Sequence, residues 1–366
     1  MNIAAHATSK ADIVGDGPAA LVAAMALAQR GWGVRLINPS RRQSRQSRID
    51  VLGASALSVL LRLGLSPHEI HTVARPCPGS WCRWDTDDAH CHDYLTGPFG
   101  SAWAVDRASF EVLLRDHVAK AGVTFASDNE QPVLSENTGT LASAAQHEVS
   151  WRILASGCVN SRSGLRSATG YNDRLIALVT FGRIDGVDDS LDTRLLIEAA
   201  ADGWAYGIVG PDNLACLGVI TDAESLAGET PRAIVSRVLD ATDRVASLVT
   251  KLSQPIAFQA IPIPCRWLPL KVDPTSLRLG DAQASFDPLA GRGLWSAIRM
   301  AEEISIALDT RPDKLALLEQ KSRASYQRYL AQRLSSYRAG RDRFKTGFWT
   351  RRCSSENALA HAGSFS

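Results

Sequence analysis

The sequence predicts an α/β chain in which a Rossmann-like dinucleotide-binding domain carries an inserted, mainly antiparallel β-sheet and ends in a helical C-terminal region. Three observations predict it. A glycine turn, Gly15-Asp16-Gly17, joins a short apolar run to a helix-like segment at the start of the chain. Beyond Arg174 the hydrophobic period changes to that of strands. A second glycine-bearing stretch, Gly280 to Gly293, follows the first by about 265 residues.

Residues 11–38 read as a strand–helix–strand unit, with the helix over Leu21 to Arg30 and the second strand over Gly33 to Ile37. Gly15 permits the tight turn, and Gly17 lets the backbone approach a pyrophosphate seated on the amides of the helix N-terminus. Ala20 takes the third position of the fingerprint, where a small side chain lets helix and strand pack closely. Asn38 stands where a ribose-binding acid is expected, and its amide is still able to bond a ribose hydroxyl. The Arg- and Ser-rich run Ser40 to Arg48 reads as a mobile loop, and Arg48 at its end is a candidate cofactor contact.

An amphipathic helix is expected over Ala54 to Leu63, closed by Gly64. From Arg75 to Trp103 the aromatic, Cys, His and Gly residues read as irregular strands outside the nucleotide core. Phe110, Leu113, Leu114 and Val118 recur at helical spacing within a helix from Ala108 to Ala121. Trp151 to Gly157 reads as a core strand returning to the cofactor. Leu175–Gly182, Thr193–Ala199, Gly203–Val209 and Leu214–Thr221 read as consecutive antiparallel strands. Residues 230–250 read as helical, and after Gly280 the chain returns to the cofactor domain. The expected boundaries are a discontinuous cofactor domain (1–74, 104–170 and 265–320), a substrate domain (75–103 and 171–264) and the helical end (321–366).

At 366 residues, 45% apolar and 21% charged, the composition is that of a soluble globular protein. Apolar runs stay well short of the ~20 residues that cross a bilayer. Met1 to Lys10 has no apolar core of signal-peptide length, so secretion is not expected. The odd number of scattered cysteines, seven, fits reduced thiols in a cytoplasmic protein. A net charge of +2 gives no reason to expect nucleic acid.

Gly280-Asp281-Ala282-Gln283, with Pro288, Gly291 and Gly293 following, resembles the Gly-Asp-Ala-Ala…Pro…Gly-x-Gly signature of FAD-dependent aromatic monooxygenases and flavin halogenases. The order of elements resembles that of p-hydroxybenzoate-hydroxylase-type flavoproteins, with a cofactor domain of glutathione-reductase type, and more closely the tryptophan-halogenase-like branch. Phe99-Gly100-Ser101-Ala102-Trp103-Ala104-Val105-Asp106-Arg107, Asp202-Gly203-Trp204-Ala205-Tyr206, Ala155-Ser156-Gly157 and Phe348-Trp349-Thr350-Arg351-Arg352 also resemble passages of that branch. The resemblance implies one FAD. Asp281 would hold a ribityl hydroxyl, Pro288 would lie beside the isoalloxazine ring, and Arg107 would contact the ribityl or phosphate part. Gly291 and Gly293 would lead into a helix, Leu294 to Ala307, whose dipole stabilises reduced flavin.

The branch holds two chemistries that share a C4a-hydroperoxyflavin. Halogenases need a lysine between the first helix and the Asp-Arg passage, and this chain has none between Lys10 and Lys120. Tyr206 and Val209 also replace the second Trp and the Pro of the halogenase Trp-x-Trp-x-Ile-Pro pattern. Hydroxylation of an aromatic (indole) ring is therefore expected, with halogenation the weaker reading. Gly79-Ser80-Trp81-Cys82 followed by Phe99 to Arg107 resembles the flavoproteins that mature tryptophylquinone cofactors by oxygenating a tryptophan in a partner polypeptide. The rival substrate is a small free aromatic compound, and simple oxidase chemistry is the alternative class. Electrons would come from NAD(P)H or a partner reductase. The expected partners are an aromatic substrate, free or peptide-borne, with neither nucleic acid nor membrane.

Trp81, Trp204 and Tyr206 are candidate substrate contacts, against the plainer reading of packing within the sheet. His90 or His92 is a candidate base for the ring proton, against a reading as solvated loop histidines. Cys77, Cys82, His90, Cys91 and His92 lack the paired Cys-x-x-Cys spacing of zinc sites, so no metal is expected. Residues 321–352 hold ten Lys or Arg and one acid, Asp342, which reads as a solvated helix face or a dock for an acidic partner.

Overall fold

The computed structural model describes residues 9–37, 48–94, 100–126, 133–134, 141–142, 151–157, 170–171, 174–185, 192–253 and 257–354. Asn38 and residues 40–47 of the arginine-rich loop lie outside them. The helices are α1 (Pro18–Ala28), α2 (Ala54–Arg62), α3 (Pro67–Val73), α4 (Arg107–Lys120), α5 (Pro231–Leu239), α6 (Arg244–Thr250), α7 (Gly293–Thr310), α8 (Leu315–Phe344) and α9 (Gly347–Arg351).

Lys10–Val14 is an inner strand of a six-stranded sheet with the order 271–273, 276–278, 151–154, 10–14, 33–37, 124–125. Ile13 pairs in parallel with Ile153 on one side and Leu36 on the other. α1 is a strong helix former, with Pro at its first position and Ala, Leu and Met after it. It is apolar all round, and ten of its eleven residues are buried. Such a helix needs neighbours on several sides, and the sheet, α4 and α7 supply them.

The seven-stranded sheet has the order 259–262, 175–183, 214–222, 203–209, 195–200, 79–83, 90–93. The strands read from sequence as consecutive neighbours are not in sequence order. Leu175–Arg183 pairs with Leu214–Asp222, while Leu195–Ala200 forms a hairpin with Gly203–Val209 and takes Gly79–Arg83, in parallel, on its other edge. The segment read as irregular strands thus completes this sheet and, through Ala74–Cys77 and Ala102–Asp106, a three-stranded one with Ile49–Leu52. The helical stretch 230–250 is two helices, α5 and α6, separated at Asp240–Asp243.

Alternation along the strands gives the seven-stranded sheet two apolar faces. Trp81, Leu196, Ala205 and Leu217 pack on α5 and α6. Ala199, Trp204, Ile208 and Cys216 pack against Ile49, Ala104 and the C-terminal aromatics Tyr337, Phe348 and Trp349. Four of the ten basic residues of the predicted arm fasten it to the rest of the chain. Arg333 pairs with Asp287 and Arg343 with Asp87, while Arg351 and Arg352 both pair with Asp222. Among the described residues no helix is long and apolar enough to cross a membrane.

Gly340, inside α8, lies against the Trp349 ring of α9. A Cβ there would lie 2.2 Å from Cζ3 and 2.3 Å from Cε3 of Trp349. Gly-to-Ala in an open helix gains about 1 kcal/mol. Here overpacking against a fully buried ring, costing about 1–3 kcal/mol, opposes that gain. Gly340→Ala is therefore expected to lower the urea midpoint at unchanged slope, and a raised midpoint would contradict this packing.

Candidate active site

The first glycine turn is required by two neighbouring strands. Gly15 has φ +139°, and its N–H donates to the Ile37 carbonyl at 2.8 Å. A Cβ on it would lie 2.3 Å from the Ala155 carbonyl oxygen, so only glycine fits. Gly17 caps α1 with no side chain, which leaves the first-turn amides open to an anion. Ala20 is fully buried beneath them. Gly280, at φ +64°, places its turn against the same helix end, since a Cβ on it would lie 2.8 Å from Ala19 Cβ. The two stretches far apart in sequence therefore meet at the N-terminus of α1.

Arg107 opens α4, where the Asp106 carboxylate accepts from the Ala108 and Ser109 amides at 3.4 and 3.3 Å. Its Nε donates to Glu111 Oε1 at 2.6 Å, and its Nη1 donates to Asp50 Oδ2 at 2.7 Å. Nη2 lies nearest Gly17, 3.9 Å from where a Cβ would stand. Arg48 Nε lies 3.4 Å from the same Asp50 oxygen. Burial pushes the Asp50 carboxyl up, but Arg48 and Arg107 together outweigh it and hold its pKa below the ordinary value. Asp281 faces this group. Burial raises its pKa against the opposing pull of Arg107 and Arg48, although its side chain is open to solvent. A carboxylate that is wet and yet surrounded by protein lines a cleft.

Tyr206 borders that cleft from the sheet. Its hydroxyl lies 3.9 Å from Cys216 Sγ, and its ring lies over Gly218, where a Cβ would meet Tyr206 Cε1 at 2.1 Å. Burial is the largest influence raising the Tyr206 pKa, and Asp50 adds to it. Burial likewise pushes the Cys216 thiol up to about 12.

The loop after Asp281 is held from behind. Asp287 Oδ2 accepts from Arg333 Nε at 3.0 Å and from the Tyr337 hydroxyl at 2.7 Å, and Oδ1 accepts from the Leu289 amide at 3.0 Å. The Asp287 amide donates to the Tyr329 hydroxyl at 2.7 Å. Tyr337 in turn accepts from Trp204 Nε1 at 3.2 Å. Pro288 and Gly291 lie on the open side of this loop, Gly291 in the left-handed region, and Gly293 starts α7, whose N-terminus no side chain caps.

Not every predicted site residue reaches the cleft. Trp81 lies on the opposite face of the sheet from Trp204, beneath the Arg244 guanidinium, because its strand alternates and Ser80 and Cys82 take the other face. Trp204 is 1% exposed and is packed by Trp84, Tyr337 and Trp349. His90 and His92 are exposed on the edge strand, three strands from that of Tyr206, roughly 14 Å at ordinary strand spacing. Asp50, Glu111 and Asp287 escaped sequence reasoning. The only signal was the spacing of Arg107 and Glu111, four residues apart on a helix. A cavity of about 380 Å³ lined by Asp202, Asp222, Glu229, Arg237 and Arg351 shares no residue with the cleft.

A backbone cradle that admits only glycine, an open helix N-terminus, two arginines and a cleft carboxylate form a donor set that fits FAD. Residues 8–151 match the family model of the FAD binding domain. This stretch is an FAD-binding domain. No curated protein matches the chain in sequence. Among solved structures, the chain is similar to the peptidyl tryptophan dihydroxylase QhpG, essential for tryptophylquinone cofactor biogenesis, at 19% identity and a TM-score of 0.71, over 94% of this chain and 79% of that one. The flavin-dependent halogenase CmlS is similar at 20% and 0.77, over 99% and 71%. PqsL of Pseudomonas aeruginosa, solved with 2-aminobenzoylacetate, is similar at 18% and 0.71, over 92% and 98%. The likeness is one of fold: the FAD-binding domain carries an inserted sheet and a helical C-terminal region, as the sequence predicts.

Gly15→Ala is expected to abolish FAD binding while the chain still folds, read by flavin absorbance of the purified protein and by circular dichroism. Asp287→Ala removes the carboxylate that pairs with Arg333, which is 5% exposed. A loss of about 3–5 kcal/mol is expected by urea unfolding, and a change below about 1 kcal/mol would show that the pair is not holding the loop.

Proposed function

We propose that the chain is an FAD-dependent monooxygenase that hydroxylates an electron-rich aromatic ring, an indole. The observation that carries this reading is the meeting of both glycine turns, Arg107 and Asp281 at one cleft bordered by the substrate sheet at Tyr206. Gly15, Gly17 and the α1 amides hold the pyrophosphate. Arg107 and Arg48 complement its charge, and Asp281 bonds the ribityl chain. Pro288, Gly291 and Gly293 bring the α7 N-terminus, with its partial positive charge, beside the ring system. Bound FAD, once reduced, supplies the reaction of dioxygen that delivers one oxygen atom to the substrate ring. Tyr206 orients that ring. Electrons come from NAD(P)H or a partner reductase.

Oxygenation is favoured over halogenation by the lysines. All seven in the chain are surface-exposed, and none belongs to the group around Arg107, Asp50 and Asp281. The fold likeness to a peptidyl tryptophan dihydroxylase supports a tryptophan of a partner polypeptide as the substrate. A second reading, a small free indole, is favoured by the filling of the Trp204 face by the chain's own Tyr337, Phe348 and Trp349.

Mass spectrometry after turnover of the reduced protein in isotopically heavy dioxygen tests this. A tryptophan peptide and free indole compounds are supplied in parallel. Heavy oxygen on the peptide supports the first substrate class, and heavy oxygen only on the free compound supports the second. Peroxide release with no labelled product from either would replace oxygenation by oxidase chemistry.

A further inference from the structure

Two carboxylates lie where an anionic cofactor is expected, and attraction by charge gives no reason for them. Arg48 and Arg107 bring two positive charges to the cleft wall, and Asp50 and Glu111 bring two negative ones. A wall selected only to attract a pyrophosphate would omit both acids. Their geometry gives another reason. Arg107 has its Nε taken by Glu111 at 2.6 Å and its Nη1 by Asp50 at 2.7 Å, which leaves Nη2 as the part of the fork nearest Gly17. The backbone sets the same aim. Asp50 pairs across the strands with Val105, two residues before Arg107, and the Arg107 amide donates to the Arg48 carbonyl at 2.8 Å.

We propose that Asp50 and Glu111 are positioning residues that aim the free edge of the Arg107 guanidinium at the pyrophosphate above Gly17. A long arginine side chain loses rotamer freedom on binding a ligand, and two fixed carboxylates impose that loss before the cofactor arrives. The inference rests on the FAD reading and extends it to residues that do not touch the cofactor.

Orientation and charge predict opposite signs, so one substitution separates them. FAD affinity of the apoprotein is measured by quenching of flavin fluorescence for the parent, Asp50→Asn, Arg107→Ala and the double variant, with urea midpoints of each apoprotein alongside. Asp50→Asn removes a negative charge near the phosphates, so tighter binding would overturn the proposal. Weaker binding by about tenfold, the equivalent of one charge-assisted hydrogen bond, is expected. In the Arg107→Ala background the same change is expected to cost nothing further, because the group that Asp50 aims is absent. A loss that persists undiminished in that background marks a merely structural role and overturns the proposal. Should Asp50→Asn not fold, Glu111→Gln frees the same guanidinium from its other side and carries the same expectations. A parent protein that fails to bind FAD would instead refute the FAD reading itself.

Discussion

The carboxylate of Asp287 ties together the three parts of the molecule. It belongs to the loop that follows Asp281, yet its donors come from α8 through Arg333 and Tyr337, and Tyr337 is bonded to Trp204 of the seven-stranded sheet. All of these groups are buried. A buried charge without partners is costly, so this arrangement is tolerated only when every member is present and well placed. The loop after Asp281, the C-terminal helix and the seven-stranded sheet are consequently held together. The aromatic packing of Trp84, Trp204, Tyr337 and Trp349 around the network excludes the water that would weaken it.

On the front of that loop the design is different. The cleft is shaped by backbone first, where Gly15 lies against Ala155 and Gly280 against Ala19. Charge is then added in opposed pairs, Arg107 with Asp50 and Glu111, and Arg48 with Asp50. The cleft stays wet while its side chains are held. Behind the loop, buried aromatics and one ion pair give rigidity. In front, partly exposed pairs leave room for a large anionic ligand.

The parts of the site legible in the sequence are those whose constraint is local. A turn that must be left-handed or approached by another backbone demands glycine, and Gly15 and Gly280 declare themselves for that reason. α1 was legible because a run rich in Ala, Leu and Met after the glycine turn leaves few alternatives. Asp50 and Asp287 were not legible. Their partners lie 57, 46 and 50 residues away, and no local pattern distinguishes a carboxylate that will meet a buried arginine from one that will meet water. That Trp81 and the histidines lie away from the cleft was not legible for a related reason. Alternation shows that neighbouring residues on a strand face opposite ways, but not which face meets the cofactor or which strand lies at the edge.

By itself, then, the sequence determined the FAD-binding strand–turn–helix, the return of the chain at Gly280 and the alternating sheet between them, because backbone sterics and hydrophobic period act over a few residues. The tertiary structure alone decided the strand order of the sheet, the face that Trp204 and Tyr206 present, and the fastening of the basic C-terminal arm to Asp222 and Asp287. Those depend on long-range pairing and on the burial of charge, whose energies exist only once distant segments are brought together and water is removed.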